Sequence, residues 1–193
     1  MQFSVANRRE RKRNRLKNYD YSQDGFYFVT ICTKDRKEFF GKIKDNKMML
    51  NKYGMVVENR WLWLEKRYNY VHLDEFIVMP NHLHGILIIG NNRRDRSRPV
   101  PTIRSISTTI DRIKSLSELI GAFKTTSSKM IHQDKLKCFF WQRSFYDYII
   151  RNEKSLYSIR EYIYNNPLQW TMDRNNPTTA SCSLPLMELS DNF

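Results

Sequence analysis

Two histidines inside an apolar run limit, more than any other feature, what this chain can fold into. The segment VMPNHLHGILII, residues 78–89, is rich in β-branched and other apolar residues, which is typical of a strand buried in a sheet. Side chains alternate along a strand, so His82 and His84 lie on one face of it. Each buried imidazole needs a polar partner. The pair is therefore either a hydrogen-bonded part of the core or, since two neutral imidazoles can bind the same ion, part of a metal site.

The pattern on either side of this strand predicts an α+β fold. Strands are indicated at residues 26–33, 71–80 and 82–90, with a hairpin turning at Asp45-Asn46 and an extended aromatic segment at 138–151. Apolar spacings of three and four residues predict helices that begin near Asn51, Ser115 and Glu153, the last ending at Asn166-Pro167. This order is that of a ferredoxin-like β-α-β-β-α-β fold, in which an antiparallel sheet carries helices on one face, followed by a C-terminal helix.

The charge balance indicates a polyanionic partner. The chain has 33 lysines and arginines against 20 aspartates and glutamates, a formal net charge of +13. Contacts to phosphates release condensed counterions, and a basic surface attracts nucleic acid over a distance. A basic protein without such a partner would have the same composition, but we expect nucleic acid.

Two segments concentrate the positive charge. The first lies in an N-terminal arm over residues 1–24, with seven lysines and arginines between positions 7 and 19, and the second is an insert over 91–114. A solvated surface without a partner would look similar, and so would lysines on the outer face of the helix at 115–133. The candidate nucleic-acid contacts are Arg8, Arg9, Arg11, Lys12, Arg13, Arg15, Lys17, Arg93, Arg94, Arg96, Lys124 and Lys129.

Hydropathy and cysteine spacing bear on where the protein acts and on how its fold is stabilised. No apolar run approaches the roughly 20 residues of a membrane-spanning helix, and no secretory signal is visible, so we expect a cytoplasmic protein with no membrane partner. The three cysteines, Cys32, Cys138 and Cys182, are far apart, which argues against a zinc knuckle or a disulfide framework. One domain over 25–170 and an irregular tail over 171–193 complete the predicted organisation.

A second candidate motif lies near the end of the last predicted helix. In REYIYNNP, residues 160–167, Tyr162 and Asn166 are four positions apart, so on a helix they lie about 40° apart around the axis and about 6 Å apart along it. One face then offers a phenol and an amide oxygen that can ligate a hard cation. With 11 tyrosines in the chain, Tyr162 could equally be a core aromatic.

Together the two motifs describe a reaction. His82, His84 and Asn166 would hold Mg²⁺ or Mn²⁺, which acts as a Lewis acid on a scissile phosphodiester. Tyr162 would attack phosphorus and form a phosphotyrosine bond. Because the phosphotyrosine ester replaces the phosphate ester that is broken, a released 3′-hydroxyl could later reverse the step and rejoin the strands.

The motifs MPNHLHGI and FFWQRSFYDYIIRNEKSLYSIREYIYNNPLQW resemble those of the HUH single-strand endonucleases, and within them the REP-associated tyrosine transposases. The resemblance spans about residues 26–170. It implies that His82 and His84 are metal ligands, Tyr162 the nucleophile and Asn166 the third ligand. It also implies a bacterial, nucleoid-associated enzyme that cuts and rejoins single-stranded DNA at hairpin-forming repeats, as a monomer or a homodimer.

Two other functions stay open on the sequence. A non-catalytic nucleic-acid-binding module could retain the fold, although it has no reason to keep His82, His84 and Tyr162 in register. A metal-dependent hydrolase could use activated water, with Tyr162 structural. Tyr164 is the main rival nucleophile, but two positions along a helix turn it about 160° away from Tyr162.

Overall fold

The computed structural model describes residues 15–90, 112–173 and 175–177. Its centre is a four-stranded antiparallel sheet in the order β4-β5-β1-β6. The strands are β1 (Gly25–Cys32), β4 (Val71–Val78), β5 (His82–Ile89) and β6 (Tyr146–Ile150). This strand order and direction are those expected for the β-α-β-β-α-β arrangement, so the predicted fold class is confirmed.

A separate two-stranded hairpin, β2 (Gly41–Lys44) and β3 (Lys47–Leu50), follows β1. Both of its turn residues, Asp45 and Asn46, have positive φ angles, as a tight two-residue hairpin turn requires. Asn and Asp tolerate this conformation better than other non-glycine residues, and the turn predicted at these two residues is therefore where the hairpin turns.

Two helices cover one face of the sheet. Helix α1 (Lys52–Arg67) begins at Asn51, whose side chain accepts hydrogen bonds from the amides of Tyr53 and Gly54. Helix α2 (Leu116–Gln133) begins after Ser115, whose amide donates to the Glu118 carboxylate. Their apolar faces enclose the main core, whose largest buried side chains include Trp61, Phe123, Tyr27, Leu83 and Leu87.

Gly85 of β5 shows how tightly this face is packed. A Cβ atom at this position would lie 2.7 Å from the Trp61 ring, closer than carbon atoms can approach. The indole of α1 therefore rests directly on the backbone of β5, and only glycine leaves room for it.

Helix α3 (Glu153–Asn165) covers the opposite face of the sheet. It begins at Asn152, whose side chain accepts from the amide of Ser155. Its Ile163 is buried with Phe28, Ile86 and Ile150 in a second, smaller apolar cluster. Strand β5 is thus buried on both sides along its whole length, which accounts for its nearly continuous apolar sequence.

Packing extends beyond the predicted 25–170 domain at both ends. Tyr21 is buried in the main core, and its carbonyl accepts from the amide of Leu116. At the other end, Asp173, Asn175 and Asn176 are buried after a short 3-10 helix, Trp170–Met172. Among the described residues, no helix has the length and apolar character needed to cross a membrane.

Candidate active site

The two histidines lie side by side under helix α3. Both belong to the start of β5, and both side chains point to the α3 face with less than 2% of their surface exposed. Their ring centroids are 4.4 Å apart. Strand alternation thus brings together the pair that the sequence predicts on one face.

Each histidine is oriented through its Nδ1 atom. His82 Nδ1 lies 2.8 Å from Asn81 Oδ1, and the amide nitrogen of Asn81 donates to the carbonyls of Arg36 and Asn175. Because the amide nitrogen is used in this way, Oδ1 is the acceptor and His82 carries its proton on Nδ1. The Nε2 lone pair of His82 therefore faces the site, as a metal ligand requires.

Thr30 orients His84 in the same way. Its hydroxyl lies 2.8 Å from His84 Nδ1, and the two residues are directly opposite each other on β1 and β5. Phe28, two residues earlier on β1, stacks on the His84 ring at a centroid distance of 5.5 Å. The neighbouring strand thus fixes both the rotation of this imidazole and its plane.

Tyr162 approaches the histidines from α3. Its hydroxyl lies 3.3 Å from His84 Nε2, and 37% of the residue is exposed. Tyr164 is 79% exposed and lines a different groove, between the hairpin and β4. Of these two tyrosines, only Tyr162 faces the histidines.

Asn166, the residue after the last turn of α3, lies at the floor of the site. It is 1% exposed, and its Oδ1 is buried without a hydrogen-bond partner among the described residues. Its Nδ2 donates to Asp173 Oδ2 at 3.3 Å. A buried amide oxygen without a partner is costly, so a ligand at this oxygen would remove the penalty.

Asp173 is the acidic member of the site, and the sequence did not indicate it. One ligand atom from each of His82, His84 and Asp173 can be chosen so that all lie within 4.8 Å of one another. Two imidazole nitrogens with carboxylate and amide oxygens form a donor set that suits Mn²⁺ and also accepts Mg²⁺. The residues present therefore fit a divalent cation.

The turn after α3 covers the His82 ring. Trp170 stacks on the His82 ring at a centroid distance of 5.9 Å, and its carbonyl accepts from the Asn176 side chain. The amide of Asn175 donates to Asp173 at 2.6 Å. These contacts hold the Asp173 carboxylate in place.

Sequence reasoning missed Thr30, Asn81, Asp173 and Asn175. Asn81 does carry a signal, because it directly precedes His82 in the motif PNHLH. Asp173 and Asn175 carry none, since they follow the helix motif in a stretch with no periodicity. Thr30 is indistinguishable from any other strand threonine until the register of β1 against β5 is known.

Those predicted nucleic-acid contacts that the structure describes lie away from the histidines. Lys124 Nζ donates to the carbonyls of Gln142 and Ser144, and burial lowers its pKa to about 8. Arg15 lies 3.6 Å from Asp147 and packs over the Phe145 ring. Lys17 and Lys129 are exposed. The other predicted positions, Arg8, Arg9, Arg11, Lys12, Arg13, Arg93, Arg94 and Arg96, lie outside the described residues.

Comparison with known proteins agrees with the resemblance seen in the two motifs. No family model matches the chain. An uncharacterized protein of Haemophilus influenzae is 38% identical over 168 residues, which cover 85% of this chain and 92% of the relative. A second Haemophilus influenzae protein, named for the REP-associated tyrosine transposases, is 22% identical over 156 residues, covering 80% of this chain and 77% of that protein.

A solved structure shares the fold. The structure of a REP-associated tyrosine transposase bound to a REP hairpin matches with a TM-score of 0.52 and 18% identity, over 83% of this chain and 74% of that one. At this identity the match shows a common fold. Together with the sequence relative of the same name, it confirms the resemblance.

Proposed function

We propose that this chain cuts and rejoins single-stranded DNA with the help of a divalent metal. The chain belongs to the same family as the 38%-identical Haemophilus influenzae protein and is related to the REP-associated tyrosine transposases. The observation that carries the proposal is the meeting of four side chains. The Tyr162 hydroxyl lies 3.3 Å from His84 Nε2, next to two buried imidazoles and a carboxylate. A phenol beside a set of metal ligands is what transfer of a phosphoryl group to tyrosine needs.

The ligands of the cation would be His82, His84 and the two oxygen donors at the floor of the site. Asn81 and Thr30 hold the imidazoles with Nδ1 turned away from the site, an arrangement that second-shell partners of metal-binding histidines commonly provide. Asn166 and Asp173 offer the oxygen ligands. Mg²⁺ or Mn²⁺, when bound, would polarise a phosphate oxygen of the substrate.

The chemical step is an exchange of one phosphate ester for another. The Tyr162 oxygen attacks phosphorus and forms an O–P bond, while the bond from phosphorus to the 3′-oxygen of the DNA breaks. The phenol proton passes to water on the exposed side of Tyr162, and the departing 3′-oxygen takes up a proton. The number of phosphate esters is unchanged, so attack by a 3′-hydroxyl on the phosphotyrosine rejoins a strand without another energy source.

The substrate we propose is single-stranded DNA next to a hairpin. Support comes from the net charge of +13 and from the related transposase, whose solved structure holds a REP hairpin. The exposed Lys17 and the arginines of the N-terminal segment are candidate phosphate contacts. Binding through such contacts weakens with salt.

The test is adduct formation on a denaturing gel. The protein is incubated with single-stranded hairpin DNA and Mn²⁺ or Mg²⁺, and the wild type is compared with Tyr162→Phe. Tyr164→Phe is the matched control, because it removes a hydroxyl from the same helix on the side away from the site. We expect a covalent protein–DNA band with the wild type and the control, and none with Tyr162→Phe.

Other outcomes identify the other functions. Cleavage that persists in Tyr162→Phe without an adduct means that metal-activated water is the nucleophile. Binding of the hairpin without cleavage by either protein, over a panel of stems and flanking sequences, identifies a non-catalytic binding module. Either result overturns the proposed reaction.

A further inference from the structure

A basic groove opens on the α2 side of the sheet, opposite the candidate active site. It lies between residues 124–133 of α2 and the segment 137–143 that leads to β6. Its exposed cations are Lys129, Lys137 and Arg143, and no acidic side chain lines it. None of these three cations takes part in an ion pair with any residue that the structure describes. The groove therefore has a positive charge that no described carboxylate neutralises.

An exposed aromatic ring stands in the same groove. Phe140 is 51% exposed, whereas the neighbouring Phe139 is fully buried. The Lys34 ammonium lies 5.9 Å from the Phe140 ring centre and adds another positive charge near the groove. The exposed half of the Phe140 ring leaves apolar surface in contact with water, which is unfavourable. A flat apolar ligand that covers the ring would remove this contact.

Backbone hydrogen bonds link the wall of the groove to the active site. The amide of Gln142 donates to the carbonyl of Cys32 at 2.9 Å, and the amide of Lys34 donates to the carbonyl of Phe140 at 2.8 Å. Cys32 is directly opposite His82 in the sheet. Two strand spacings, about 10 Å in all, therefore separate His82 from the groove wall. Because the groove and the histidine side chains lie on opposite faces of the sheet, a strand that reaches both needs more than the roughly three nucleotides that cover this spacing.

From these observations we infer that the groove binds single-stranded DNA that flanks the cleavage position, with a base stacked on Phe140 and phosphates on Lys129, Lys137 and Arg143. Combined cations and a stacking aromatic ring are typical of single-strand binding, whereas a duplex offers no free base to stack. The strand passes around the end of the sheet where β1 ends and β5 begins. The inference rests on the proposed function for the identity of the strand.

Lys124 is not one of the phosphate contacts in this proposal. Its ammonium donates to the carbonyls of Gln142 and Ser144, so it ties the segment 137–143 to α2. It shapes the groove and leaves the phosphates to the three exposed cations.

The test measures binding apart from cleavage. All variants are made in the Tyr162→Phe background, and fluorescence anisotropy follows labelled oligothymidine of increasing length, a blunt DNA duplex, and oligothymidine over a range of salt. The groove variant carries Lys129→Gln, Lys137→Gln and Arg143→Gln. Its matched control carries Lys42→Gln, Lys44→Gln and Lys66→Gln, which remove the same charge from exposed positions on the hairpin and α1.

We expect the groove variant to lose affinity for long oligothymidine, with the slope of log K against log salt smaller in magnitude by about 2, since each single-strand phosphate contact contributes about 0.7. The control variant should keep the wild-type slope. Phe140→Leu should weaken binding of oligothymidine about tenfold, whereas Tyr157→Leu, at an exposed tyrosine on α3, should not.

Three results would overturn the inference: an equal loss in the control, an equal or larger loss on the duplex than on oligothymidine, or unchanged binding by Phe140→Leu. Thermal melting of each variant checks that the fold is intact. Because binding is measured without the nucleophile, its outcome is independent of the adduct test. A wild type that forms no adduct would overturn the proposed reaction and leave the groove result standing.

Discussion

At the scale of single residues, the candidate site depends on neighbours that carry no chemistry of their own. Thr30 and Asn81 each contact a histidine at its Nδ1 atom. Asn81 nevertheless decides which nitrogen of His82 carries the proton, and both residues leave the Nε2 side of a ring to face a cation. Such partners commonly change metal affinity by 10- to 100-fold when they are lost, although the sequence context of Thr30 does not mark it.

Asp173 provides the first prediction at this scale. If its carboxylate binds the cation, Asp173→Ala should raise the Mn²⁺ concentration needed for half-maximal adduct formation by on the order of tenfold or more, because a charged oxygen ligand is lost. Asp134→Ala, which removes an exposed carboxylate at the end of α2, is the control. An unchanged Mn²⁺ requirement would leave Asn166 as the oxygen ligand.

Lys124 provides a prediction about pH. Burial lowers its pKa from 10.5 to about 8 in the folded chain, so between these values the unfolded chain binds more protons than the folded one. The free energy of unfolding therefore gains a contribution from Lys124 that rises with pH from about 8 to 10.5. Below pH 8 the ammonium is charged in both states, and this contribution is flat.

Lys124→Met should remove that rise. Urea unfolding of the wild type and the variant at several pH values from about 7 to about 10 gives the comparison. We expect the difference in unfolding free energy to shift in favour of the wild type as the pH rises through the upper part of this range. Parallel pH profiles would mean that the ammonium is not buried in solution.

At the scale of elements, helix α3 is held on the sheet in two ways. Leu156, Ile159 and Ile163, spaced three and four residues apart, pack on the sheet. Arg160 makes two hydrogen bonds to Asp74, of 2.8 and 2.6 Å, at the irregularity in β4. The apolar stripe sets the face that α3 buries, and the ion pair limits sliding along the sheet.

Arg160→Gln should therefore slow adduct formation without weakening DNA binding to the same degree, because Tyr162 lies half a turn away on the same helix. We expect a several-fold lower rate and a loss of about 1–2 kcal/mol in unfolding free energy. Lys52→Gln, which breaks the Lys52–Asp134 pair between α1 and the end of α2, is the control. A rate reduced equally in both variants would contradict a specific effect on Tyr162.

The elements were largely predictable, because each carries a local signal. Asn51 begins α1, Asp45-Asn46 turns the hairpin, and the alternation of side-chain direction along β5 places both histidines on one face. What the sequence could not give is the side of the sheet on which α3 packs, since its apolar stripe fits either face. Only part of the site could be predicted from the sequence, namely the residues within the two motifs. Thr30 could not be predicted because its place depends on the register of β1 against β5, and Asp173 could not because it lies in a turn without a sequence pattern.

At the scale of the whole molecule, the residues after Trp170 belong to the folded unit. Asp173, Asn175 and Asn176 are buried and hydrogen-bonded to Asn166, Asn81 and Trp170. A chain that ends at residue 170, the predicted end of the domain, loses all three. We expect it to melt at a lower temperature and to form no adduct.

A chain that ends at residue 177 is the control for this truncation, since it keeps every described contact of the turn. Its melting temperature is compared with those of the full-length chain and the shorter one. Equal melting temperatures for the two truncated chains would mean that the turn adds nothing to the fold.

Because Tyr164 points away from the histidines, it limits how many DNA ends one molecule can hold covalently. If Tyr162 is the nucleophile, the part of the chain that the structure describes has one phenol at the histidines, and each molecule would be esterified to one broken strand at a time until that strand is transferred. A reaction that joins ends from two cuts must then proceed serially in one molecule or in parallel in two. The number of DNA ends held covalently at any moment would then equal the number of protein molecules that have reacted.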